Sequence, residues 1–153
     1  LFILLFVSFQ NGGVAGEASH ALIRIVTSFS ILKDFVEKIT AGNDHIQLDS
    51  IVSVNADPHT YQPIPQDSKT LAAADLIFIN GLDFEKNIEK LIISSGFKGR
   101  VYSVSKGISY RLEPLDPHLW HDVNKAKKYV INITRALCEY DPQNQALYQK
   151  NKK

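Results

Sequence analysis

Between residues 22 and 104 the apolar positions switch repeatedly between a strand-like run and a helix-like repeat, which restricts the chain to an α/β fold with a parallel sheet. Residues 22–27 predict a first strand. Ser28 or Ser30 is placed to cap the next helix, whose Ile31, Leu32, Phe35, Val36 and Ile39 share one face and which Gly42 ends. Residues 46–54, rich in β-branched side chains, predict a second strand, and the three prolines within 55–65 make that stretch a loop. A helix restarts over 66–74 with Asp67 and Ser68 in its first turn; a third strand over 76–79 stops at Asn80-Gly81. The helical period returns over 84–95 through Ile88, Leu91 and Ile92 as far as Gly96, and 101–104 supplies a fourth strand. The expected architecture is α/β, a four-stranded parallel sheet flanked by helices. With 153 residues, 44% of them hydrophobic and 22% charged, the chain suits one globular domain or a large piece of a bigger protein.

Ligands of open parallel sheets gather beyond the carboxyl ends of the strands. Two copies of one tripeptide fall in such loops: Asp57-Pro58-His59 after the second strand and Asp116-Pro117-His118 after the fourth. Each is followed two residues later by an aromatic, Tyr61 and Trp120, and together they hold two of only five histidines. At ordinary residue usage one such tripeptide arises by chance on the order of once in a hundred chains this long, so a matched pair points to one site assembled from two places. Proline fixes its own φ and holds the preceding Asp extended, so each loop is a stiff mount for the imidazole after it.

Neutral imidazole on a stiff mount is a good donor to zinc and an acceptable one to manganese, so His59 and His118 are the candidate metal ligands. Asp57 and Asp116 can stand behind them, each accepting the far ring N–H and fixing the tautomer, or can simply open turns. Tyr61 and Trp120 are expected to wall the site. His121, three residues after His118, offers a local His-x-x-His-Asp cluster with Asp122, or is an exposed residue near a helix start. His20 and His45 are expected to be solvated.

Net charge of +1 provides no basic face for nucleic acid, and Lys125, Lys127 and Lys128 read as the solvated side of a helix. The single cysteine, Cys138, reads as a buried inert thiol, and its solitude disfavours the thiolate chemistry of copper(I) and iron–sulfur sites. Residues 1–9 form an apolar run of signal-peptide length followed by small residues, too short for the ~20 residues that cross a bilayer. Without methionine or a basic start, the chain is expected to be trimmed, with 1–20 the remnant of a signal peptide. Export to the periplasm without a lipid anchor is expected, since no cysteine follows the apolar run.

The segments Ala56-Asp57-Pro58-His59-Thr60-Tyr61-Gln62-Pro63, Ala74-Asp75-Leu76-Ile77 with Asn80-Gly81-Leu82, and Asp116-Pro117-His118-Leu119-Trp120-His121-Asp122 resemble the metal-specific solute-binding proteins of zinc and manganese ABC importers. The resemblance implies two α/β lobes joined by a long helix, with a divalent ion held between them by two ligands from each. His59 and His118 match the pair from the N-terminal lobe; the other two ligands come from a second lobe that these residues do not include. It thus implies an N-terminal metal-binding lobe over 21–122, the start of the inter-lobe helical region over 123–153, and as partners Zn2+ or Mn2+, a membrane permease and its ATPase. Many zinc members carry a histidine-rich insertion between the two ligand loops, and 105–115 holds no histidine, which favours manganese or a zinc/manganese generalist.

The rival reading is a zinc-dependent hydrolase, with His59, His118 and His121 holding the ion and Asp122 as general base. No Gly-rich phosphate loop, Gly-x-Ser-x-Gly elbow or His-Glu-x-x-His element supports it. A surface adhesin, a role once given to related proteins, has no motif here.

Overall fold

The computed structural model describes residues 21–110 and 115–153. The expected signal remnant, and His20 with it, lies outside the described residues. Four parallel strands, β1 (Ile23–Phe29), β2 (Ile46–Val52), β3 (Leu76–Ile79) and β4 (Arg100–Ser103), form one sheet in the order β2-β1-β3-β4. The register pairs Ile25 with both Leu48 and Leu76, and Ile77 with Val101. The helices are α1 (Ser30–Thr40), α2 (Pro65–Ala72), α3 (Lys86–Ser94), α4 (Val123–Tyr140) and α5 (Gln145–Asn151).

The chain leaves β1 toward β2 on one side, then returns and continues through β3 to β4 on the other. Right-handed crossovers therefore put α1 on one face of the sheet and α2 with α3 on the opposite face. α4 and α5 pack on α1, closing the first face. The central strands are covered on both sides, which is why Ile25, Val26, Leu76, Ile77 and Phe78 are all buried, as the near-continuous apolar runs of β1 and β3 require. Leu32, Val36 and Ile39 of α1 and Tyr129, Ile133, Ala136 and Leu137 of α4 complete that side of the core. At the carboxyl ends of β1 and β3 the direction of winding reverses, leaving a crevice between their outgoing loops.

Several expected boundaries move, each for a local reason. β2 stops at Val52 because a turn closes from Ser53 to Ala56, so Val54 is 83% exposed rather than part of the strand. Neither Ser28 nor Ser30 caps α1: the cap position is Phe29, which lends no side-chain bond, and the Ser28 hydroxyl is turned inward. α3 begins at Lys86, two residues later than the apolar pattern suggests, because Leu82 and Asp83 take left-handed backbone angles (φ 57° and 60°). Cys138 is half-buried and accepts a hydrogen bond from Gln149 rather than lying sealed in the core.

Candidate metal centre

β2 and β4 are the outer strands of the sheet, so the loops that follow them start far apart and fold back over the crevice between β1 and β3. There they bring Nε2 of His59 to 3.0 Å from Nε2 of His118. Both rings rest on an aromatic floor built from the strand ends. Phe84, in the turn after β3, meets the His59 ring edge-on at 4.4 Å and the His118 ring at 5.5 Å, centroid to centroid. Phe29, the last residue of β1, packs on Phe84 at 5.0 Å and on Trp120 at 5.1 Å, and Trp120 stands 5.3 Å from His118. Tilted aromatic pairs of this kind contribute about 0.5–1.5 kcal/mol each beyond the area they bury, enough to fix the ring planes. His59 is exposed and His118 half-buried, so the facing nitrogens open to solvent.

The two Asp-Pro-His loops are alike at the backbone and differ at the ring. Asp57 accepts the backbone N–H of His59 at 2.9 Å, and Asp116 accepts that of His118 at 3.0 Å, so each carboxylate first closes a tight turn. Asp116 Oδ1 also lies 2.9 Å from the His118 ring Nδ1, whereas the second oxygen of Asp57 takes the Thr60 hydroxyl at 3.3 Å. The backbone N–H of His118, and then its ring, hold the Asp116 carboxyl below the usual carboxylate range. A proton on Nδ1 facing this carboxylate leaves the His118 Nε2 lone pair free, the tautomer a metal ligand needs. Of the two aspartates expected behind the ligands, only Asp116 reaches an imidazole.

Tyr61 walls the His59 loop by a hydrogen bond from its hydroxyl to Asp67 (2.9 Å), and burial together with that carboxylate raises its pKa. Asp67 also accepts the Ile64 backbone N–H at 2.8 Å, so one side chain starts α2 and anchors the loop before it. His121 does not join the pair: its ring stands 6.2 Å from that of His118 and 5.5 Å from Trp120. Asp122 is the N-cap of α4, accepting the backbone N–H groups of Asn124 (2.9 Å) and Lys125 (3.4 Å). Among the described residues no group of three or more His, Cys, Asp or Glu comes together to hold an ion. His45 sits just before β2, at the opposite end of the sheet from the imidazole pair.

Beneath the site lies a buried polar network that the sequence did not announce. Glu85, fully buried, accepts the Ser28 hydroxyl (2.6 Å) and the backbone N–H groups of Asn80 (2.5 Å) and Gly81 (3.2 Å). Burial pushes its pKa up to about 7, against the lowering effect of those three donors. Asn80, also fully buried, donates from Nδ2 to the Pro117 carbonyl (3.1 Å) and accepts the Tyr129 hydroxyl at Oδ1 (2.6 Å). Its own carbonyl accepts Ser103 and Ser105 hydroxyls at 3.0 and 2.6 Å. Gly81 is required beside it, with φ at 79° and the Ser103 hydroxyl occupying the space a Cβ would take. Asn80-Gly81 was visible as a strand terminator and as part of the family resemblance, with no sign of this network, and a lone Glu after a turn carries no local signal of burial.

The fold is thus a parallel α/β lobe with two imidazoles converging over its switch point. Residues 25–153 match the family model described as ZnuA, zinc-uptake complex component A, periplasmic, and the chain belongs to this family of metal solute-binding proteins. It is 37% identical over 150 residues to the manganese ABC transporter substrate-binding lipoprotein scaA of Streptococcus gordonii, covering 90% of this chain and 48% of the relative. It is 35% identical over 159 residues to the manganese-binding lipoprotein MntA of Halalkalibacterium halodurans, covering 98% and 52%. Among solved structures it resembles the cadmium-bound periplasmic metal binding protein of Candidatus Liberibacter asiaticus, with a TM-score of 0.78, 30% identity, and coverage of 85% of this chain and 50% of that one. The chain spans about half the length of the curated relatives it matches. The streptococcal relative is named a transporter component, not an enzyme, and both it and MntA are named lipoproteins, which counts against the expectation of export without a lipid anchor.

Proposed function

We propose that the protein captures a divalent metal ion, Mn2+ or Zn2+, and delivers it to the membrane permease and ATPase of an ABC importer. The observation that carries this is the His59–His118 pair: two ring nitrogens 3.0 Å apart, the far nitrogen of one of them 2.9 Å from a carboxylate, on loops from opposite edges of one sheet. Residues 21–122 serve as the N-terminal lobe and 123–153 begin the helical connection to a second lobe that completes the coordination shell, in keeping with relatives about twice as long. Two exposed imidazoles alone hold an ion loosely, and ligands shared between two lobes let it be released when the lobes part. Residues 1–20 suit a signal for export to the cell exterior or periplasm.

Manganese is the favoured cargo. The absence of histidine from 105–115 and the manganese named for several relatives support this choice. The hydrolase reading loses its base, since Asp122 is committed to capping α4, and its third ligand, since His121 stands apart.

Metal uptake by cells lacking the gene tests the proposal. Wild-type protein supplied in trans should restore Mn2+ accumulation and His118→Ala should not; equal restoration by both would refute a role for this site in import.

A further inference from the structure

We propose that the segment over residues 80–87, the turn after β3 together with the start of α3, is the spacer that sets the separation of the two imidazoles, with Asn80 holding the His118 loop and Asn87 holding the His59 loop. The proposal rests on the metal-capture reading and adds positioning residues to it. Asn80 Nδ2 donates to the carbonyl of Pro117, the residue immediately before His118, at 3.1 Å. Asn87 Nδ2 donates to the carbonyl of Tyr61, two residues after His59, also at 3.1 Å. Both loops are therefore gripped at the backbone, next to the ligand, by side chains of one short segment. Phe84, midway along that segment, is in edge contact with both rings.

A spacer must itself be rigid, and this one is braced from three sides. Glu85 gathers the N–H groups of Asn80 and Gly81 and the Ser28 hydroxyl, tying the start of the turn to its end and to β1. Tyr129 of α4 donates to Asn80 Oδ1, which fixes the amide so that its Nδ2 faces Pro117. Leu82 and Asp83 are non-glycine residues held at φ 57° and 60°, a conformation that persists only where surrounding structure imposes it. Because the bonds run to backbone carbonyls, a change at Asn80 or Asn87 moves a whole ligand loop.

The test compares Asn87→Ala and Asn87→Asp with wild type. Asn87 is only half-buried, so both variants should fold, and Asp keeps the size of the side chain while removing the donor. In metal-free protein, imidazole resonances read by long-range 1H–15N correlation should shift most for His59 Nδ1 and Nε2 and leave His118 Nδ1, on the side away from the shared contact, nearly fixed, a loop-specific response that general destabilisation would not give. Asn80→Ala, where it folds, should shift His118 instead. Mn2+ affinity of the Asn87 variants should fall by about tenfold with the unfolding midpoint within ~2 °C of wild type. Unchanged His59 resonances and affinity in both Asn87 variants would overturn the spacer. Should the full-length two-lobed protein bind no metal, the capture reading fails, and the resonance shifts still decide whether the segment positions the rings.

Discussion

The Nδ1 of His118 lies 2.9 Å from Oδ1 of Asp116, whereas the matching aspartate, Asp57, bonds only to backbone N–H and the Thr60 hydroxyl. Two loops with the same tripeptide thus support their imidazoles unequally. His118 has a carboxylate against its Nδ1 and Trp120 and Phe84 against its ring, while His59 has Phe84 and the anchored loop.

That asymmetry separates the two aspartates. Asp116→Asn keeps a turn-forming side chain but withdraws the charge that accepts the ring N–H, and should weaken metal binding by about 10–100-fold. Asp57→Asn retains an oxygen for the His59 backbone N–H and should change affinity by less than about threefold. Isothermal titration of both variants checks this, and equal losses would show that the ring contact is immaterial.

Glu85 predicts a pH-dependent stability. Its folded pKa of about 7 lies above the ordinary 4.5, so the folded state binds the extra proton between those values. Its contribution is most favourable at low pH and is lost as pH rises through about 7, by an amount on the order of 3 kcal/mol at most. Urea unfolding at pH 5 and pH 8 should show wild type losing stability relative to Glu85→Gln over that interval. Histidine titration is common to both proteins and cancels in the comparison. A constant difference between them would place the Glu85 pKa outside the window.

Tyr129→Phe tests the brace from α4. The substitution removes the hydroxyl that satisfies the buried Oδ1 of Asn80 at 2.6 Å and leaves that oxygen without its donor. Unfolding should become easier by about 1–3 kcal/mol. A loss below ~0.5 kcal/mol would show the bond to be replaceable.

The sheet was legible because its strands are apolar runs and its helices amphipathic; Leu32, Val36 and Ile39 are buried on the face that their spacing marks out. The two Asp-Pro-His loops stood out because proline makes a tripeptide conspicuous, and the structure brings their imidazoles together. The strand order, with β1 and β3 central, follows from long-range pairing and has no local signature. Neither has Glu85, whose burial comes from Ser28, 57 positions away, and from a turn whose left-handed residues are leucine and aspartate rather than glycine. Ser28 read as a cap because its hydroxyl precedes a helix, but the nearer buried carboxylate took the bond.

Calorimetric titration of Mn2+ into wild-type, His59→Ala and His118→Ala protein tests the central claim most directly. The facing Nε2 atoms require that, in the full-length two-lobed protein, each substitution remove most of the binding, by about 100-fold or more, and that the double variant do little further harm, since either loss breaks the same pair. Affinity unchanged by either single substitution would contradict the assignment of His59 and His118 as the metal ligands of this lobe.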